Sequence, residues 1–268
     1  MAQSLTLYKR HNNYHNYNYL FQSLKTFHNR CPLAIENEHF DRLMRSLKDS
    51  QGLTFDHKDY SKHVSADKDY FLLKYEDKFL QNKHYLNYLN SYSLSEIDGN
   101  KTFRKRENWC EVDDGKVADI FLSYMTIFYP RAVLNSIDAR CINNTHRGYF
   151  KEHYTLCRKK LICLSLLTGF TRVLAELEGK IYGNKMLKME PSFYKKLNIL
   201  LPTTVDAKGV NHCFSRVNRL LRSGDSIRAS IEASQFIYGS CFSQADAERY
   251  ERELEKIRIK LHERRRCT

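Results

Sequence analysis

The sequence has 268 residues, 42% hydrophobic, with only ten Gly and four Pro. That composition supports a buried core and excludes disordered, collagenous and turn-dense all-β architectures. Forty-four Lys and Arg against 31 Asp and Glu give a net charge of +13, so a polyanion is the expected partner. Eight cysteines occur without a C-x-x-C pair, and no apolar leader is read at the N-terminus, so reduced thiols in a cytoplasm are expected.

In chain order, residues 1–30 are rich in Tyr, Asn and His. Tyr17, Leu20, Phe21, Leu24 and Phe27 fall at helical spacing and predict a first helix. ENEHFDRLMRSL, 36–47, carries Phe40, Leu43, Met44 and Leu47 and predicts an amphipathic second helix. One more helix is expected over about 69–90, and the charged EIDGNKTFRKREN that follows reads as a linker. The chain thereby divides into a polar helical region, 1–107, and a helical core, 108–268.

In the second part, Asp113 and Asp114 precede an expected helix with Val117, Ile120, Phe121, Tyr124, Ile127 and Phe128 on one face. Pro130 ends or kinks it. LICLSLLTGFTRVLAEL, 161–177, predicts a long core helix; it is too short to span a bilayer and contains Arg172, so no membrane partner is expected. Segments 191–200, 209–222, 226–238 and 244–265 also read as helical, and no alternating strand run is seen. The expected fold is all-α, a multi-helix bundle.

RCINNTHRGYFKEHYTLC, 140–157, concentrates chemically capable side chains. Cys141, His146, His153 and Cys157 form a candidate zinc set, because His153 and Cys157 at i, i+4 share a helix face. The pair Arg140 and His146, five residues between them, resembles the R-x(4–6)-H motif of the HEPN ribonucleases, all-helical domains. That resemblance implies RNA cleavage, with His146 as general acid or base and Arg140 stabilising phosphate charge. The favoured reading is structural: INNTHRG is a turn, and Arg147, Lys151, Arg158, Lys159 and Lys160 form a basic rim at the head of the core helix. Neither the metal nor the catalytic reading is favoured, and no cofactor is expected.

The strongest binding signal lies at 208–222. Val210, Phe214, Val217 and Leu221 share one face, while Lys208, His212, Ser215, Arg216, Arg219 and Arg222 occupy the other, with Asn211 and Asn218 at its edge. Arg bridges phosphates or guanine edges and Asn pairs with adenine. With the segment before it the layout resembles a helix-turn-helix. Ser243 and Asp246 form an N-capping pattern, after which Ala247, Tyr250, Leu254, Ile257 and Leu261 repeat at heptad spacing. That seam, 247–261, is expected to dock on the core, a protein partner or a second copy. Arg264, Arg265 and Arg266 add a phosphate-contacting cluster. The expected function is nucleic-acid binding, DNA over RNA, as a regulator or replication accessory factor, with enzymatic activity left open and not favoured. The alternatives are a HEPN-like ribonuclease and a protein-binding adaptor or effector.

Overall fold

The computed structural model describes residues 2–4, 21–22, 39–66, 71–101, 103–111, 114–183 and 186–266; side chains are described between 39 and 263. The strands in chain order are β1 (Ala2–Ser4), β2 (Phe21–Gln22), β3 (Phe40–Met44), β4 (Thr54–Phe55), β5 (Phe71–Leu73), β6 (Ile120–Ser123), β7 (Met125–Thr126), β8 (Ala132–Asn135), β9 (Arg140–Cys141), β10 (Thr145–Gly148), β11 (Lys180–Tyr182), β12 (Met186–Lys188) and β13 (Asn198–Leu200). The helices are α1 (His57–Val64), α2 (Lys83–Asn90), α3 (Leu94–Gly99), α4 (Leu156–Ser165), α5 (Gly169–Glu178), α6 (Pro191–Lys196), α7 (Ala207–Arg222), α8 (Ser226–Cys241) and α9 (Gln244–Arg266). No helix among the described residues is long and apolar enough to cross a membrane.

The fold is therefore mixed α and β, and the all-α expectation is corrected. The central sheet has the order β10-β6-β8-β4, with β6 antiparallel to β10 and β8, and β4 parallel to β8. A second sheet, β2-β5-β3-β9, a three-stranded β11-β12-β7 sheet and the β1-β13 pair complete the strands among the described residues.

Two of the misread strands, β6 and β3, share one cause. All four residues of β6 are buried, and alternate ones enter different cores. Ile120 and Leu122 join α4, α7 and α8 in one cluster, whereas Phe121 joins Phe55 and Val133 in another. A strand covered on both faces shows no polar alternation, so its apolar run mimics a helical stripe. The expected helix through Val117 and Phe128 is instead β6, a turn and β7. The same holds at β3, where Leu43 and Met44, both fully buried, enter separate clusters. Of the expected N-terminal helix only Phe21 and Gln22 are described, as the strand paired with β5; the rest lies outside the described residues.

The long apolar helix is two. Thr168 caps α5, its Oγ1 accepting from Thr171 N at 3.4 Å and donating to Ser165 O at 2.8 Å, so hydroxyl chemistry breaks the run at Leu166–Leu167. The helix-turn-helix expectation is also corrected. The first helix, α6, is six residues long and leads into β13 before α7 begins. The last three helices fall where periodicity predicts them, because each covers the core on one side only.

Candidate nucleic-acid interface

Helix α7 starts at Asp206, whose carboxylate accepts from Lys208 N at 3.2 Å and Gly209 N at 3.0 Å. Val210, Cys213, Phe214, Val217 and Leu221 are its buried side. One flank is fastened to the protein along its length. Asn211 Oδ1 accepts from Lys160 Nζ on α4 at 2.6 Å, and Asn218 Oδ1 accepts from Leu53 N at 2.7 Å. At the end of the helix Arg222 grips α1, donating to Asp59 at 2.7 and 2.9 Å and to its cap Asp56 at 3.0 Å. Arg222 also donates to Thr54 O at 3.2 Å, so α7 covers the open edge of β4. The Asp59 carboxylate, by hydrogen bonding first, holds the Arg222 pKa above its ordinary value. On the other flank Arg216 pairs with Glu232 of α8.

What remains outward is a ridge of Lys208, His212, Ser215 and Arg219, all exposed. Their spacing of i, i+4, i+7 and i+11 puts them in one line about 16 Å long. No Asp or Glu occurs between Ala207 and Arg222. Beside the ridge, α4 contributes cations held against aromatic faces. Lys160 lies 5.3 Å from the Phe214 ring centroid and Lys159 5.1 Å from that of Phe150, while the Arg158 guanidinium is 5.1 Å from that of Tyr154. Lys159 also pairs with Asp119 at 3.2 Å. Lys151 and His153 are exposed in the turn before α4, and Arg147 is held by both oxygens of Asp114 at 2.7 and 3.0 Å.

The cluster at 140–157 is dispersed. Arg140 sits on β9 and donates to Asp41 at 3.0 Å, whereas His146 sits on β10, in a different sheet. The buried His146 ring meets Met189 O through Nε2 at 2.7 Å and stands edge-on to Tyr124 and Tyr194. Cys141 is on β9 and Cys157 in α4. Among the described residues no group of three or more His, Cys, Asp or Glu is placed to hold a metal ion.

Along α9, Ala247 is buried and Leu254 and Leu261 half-buried, while Tyr250 and Ile257 are exposed. The helix meets α5 through Arg172 with Glu255 and His262 with Glu176. The side chains of Arg264, Arg265 and Arg266 lie outside the described residues.

Sequence periodicity does not show that Asn218 and Arg222 bond inside the fold. The only signal is angular: they stand about 80° and 120° from Val210 on the wheel, against about 180° for Arg219. Nor does it show the tight turn at Thr126–Tyr129.

The mixed sheet with helices packed on its face has a counterpart among known structures. The crystal structure of the type IIG restriction endonuclease BpuSI resembles this chain with a TM-score of 0.55 at 12% identity, covering 88% of this chain and 31% of that one. The likeness is one of fold, and this chain spans less than a third of that enzyme. Among curated proteins, no sequence matches. The family described as the C-terminal domain of Type II methyltransferase M.Eco57I matches residues 33–237, well over half of the chain, and the chain belongs to that family. The matched span includes α4 and α7; α9 lies beyond it.

Proposed function

We propose that this chain is a DNA-binding domain of a restriction–modification protein, and that the ridge of α7 is its principal DNA contact. The ridge carries the reading: four outward polar or basic side chains on a helix without carboxylates, backed by a flank fastened to α1, α4 and the sheet edge. A helix held this firmly presents Lys208 and Arg219 in fixed geometry, which phosphate and base-edge contacts require. Membership in a methyltransferase C-terminal domain family supports DNA as the polyanion. It lends no support to a free-standing regulator or replication factor, or to a HEPN-like ribonuclease. The basic rim at Lys151 and Arg158 to Lys160 extends the same charged surface from α4.

The test is fluorescence anisotropy of duplex DNA across a salt series, comparing wild type with Lys208→Ala/Arg219→Ala. Each lost phosphate contact lowers the slope of log affinity against log salt by about 0.9, so the double variant is expected to lose roughly 2. An unchanged slope refutes the assignment of DNA to this ridge.

A further inference from the structure

The turn joining β7 to β8 is tightly closed. Thr126 Oγ1 donates to Tyr129 O at 2.6 Å and accepts from Tyr129 N at 3.1 Å. Ser123 Oγ accepts from Arg131 N at 2.9 Å and donates to Arg131 O at 3.3 Å. The Arg131 guanidinium ties this turn to the neighbouring segment through Leu47 O and through Ser50 O at 2.5 Å. A turn fixed this way nevertheless holds the Phe128 side chain 57% exposed. With its chain neighbour Ile127, 46% exposed, it puts two large apolar side chains side by side on one turn, and clustering of that kind, rather than a single exposed ring, marks a contact surface.

Phe128 stands at a groove of about 560 Å³, walled by Tyr124, Met186, Lys48 and Asn144. That is the size of a small-ligand pocket. Its charge is as distinctive as its shape. No Asp or Glu lines it, and its charged side chains are Lys48 and Arg131. Two other grooves among the described residues contain carboxylates: Glu248 and Glu251 in one, Asp41, Glu76, Glu111 and Asp114 in the other. Behind the Tyr124 wall, Lys188 Nζ lies 5.4 Å from the ring centroid and is paired with Glu190 at 2.9 Å, so the carboxylate nearest that wall is already neutralised.

An apolar wall with an exposed aromatic face, a cationic rim and an exposed amide matches a nucleotide: ring, phosphate and base edge in turn. A hydrophobic peptide segment would use the apolar wall and leave Lys48 and Asn144 without a role. We propose that this groove receives an unpaired base of a DNA strand, stacked on Phe128, with Lys48 at the flanking phosphate. The proposal rests on the DNA-binding reading and adds a second contact, apart from the α7 ridge, specific for bases out of the stack.

The experiment uses the full chain with a single strand of roughly 20 nucleotides, long enough to exceed one binding site, and the matching duplex. A central 2-aminopurine reports stacking. Phe128→Ala is expected to weaken single-strand binding about 10-fold or more, in line with the loss of one stacked base, and to alter the 2-aminopurine signal. Duplex binding through Lys208 and Arg219 is expected to stay intact, and Phe128→Trp to preserve stacking. Exposure of Phe128 means the variant folds, which a melt verifies. If duplex binding is intact and ridge-dependent but Phe128→Ala holds the single strand like wild type, the groove assignment alone is overturned. Equal weakening on both probes also overturns it, by making the turn a duplex contact. If wild type binds neither probe at low salt, the DNA-binding reading falls first and the groove with it.

Discussion

Arg222→Ala is expected to destabilise the protein while leaving the α7 ridge in place, although Arg222 stands only three residues beyond Arg219. Its guanidinium donates to Asp59 twice, at 2.7 and 2.9 Å, to Asp56 at 3.0 Å and to Thr54 O at 3.2 Å. Removing it leaves the Asp59 carboxylate, whose side chain is only 8% exposed, without its counter-charge and with the Asp56 N–H at 3.4 Å. Breaking a fully buried pair costs about 3–5 kcal/mol. Arg222 and Asp56 keep 27% and 38% exposure, so water recovers part of that, and about 2–4 kcal/mol remains. For a protein of this size that is a fall in Tm of about 5–15 °C. Arg219→Ala, from the exposed ridge, is expected to change stability by less than about 0.5 kcal/mol and to act on DNA affinity instead. Calorimetric melts and duplex anisotropy on both variants separate the roles. If Arg222→Ala melts within about a degree of wild type and loses DNA, the clamp is wrong and Arg222 belongs to the interface.

Other outcomes are as specific. Leu166 is fully buried at the α4–α5 break, and Leu166→Ala is expected to cost about 2–5 kcal/mol; a near-wild-type melt removes it from the core. His146→Ala is expected to lower Tm through loss of the Met189 bond and two ring contacts, with RNA left intact by variant and wild type alike. Robust His146-dependent cleavage by pure protein would defeat that. Burial raises the Glu251 pKa, with Glu255 adding to the rise and Ser234 and Arg172 opposing it. A raised folded-state pKa gives stability present in full below the unfolded value of about 4.3 and lost as pH climbs through the folded one. Glu251→Gln is therefore expected to flatten the Tm profile above about pH 4.3 and raise it at neutrality; parallel profiles contradict this.

The helices that cover a core from one side were legible because their polar faces survive in the sequence: Lys208, His212, Ser215 and Arg219 mark α7 from spacing alone. Strands covered on both sides were not. Ile120, Phe121 and Leu122 are each buried, and no pattern in the residues separates the two clusters they enter. Thr168 was present as a helix-start residue inside LLTGF, yet its apolar surroundings concealed the break. At the interface the type of residue was readable but its engagement was not. Arg219 and Arg222 differ by about 60° on the wheel, and what turns that angle into a clamp is where Asp56 and Asp59 arrive in space, from more than 160 positions earlier, at separations of 166 and 163.

That distance matters while the chain is being made. The edge of β4 is closed by side chains of α7, and Leu53 waits for Asn218 across a separation of 165 residues. The edge exists once β8 is made, and at about 5–20 residues per second the stretch from Asn135 to Asn218 leaves it without its cover for roughly 4–17 s. During this interval the carboxylates of Asp56 and Asp59 lack the Arg222 guanidinium, and the Thr54 carbonyl has Ser50 Oγ at 2.7 Å but not Arg222. Anything that slows the ribosome between β8 and α7 lengthens the opportunity for edge-to-edge pairing between polysome neighbours. The arrival of one helix thus sets both when the sheet edge closes and when its exposed basic ridge first exists.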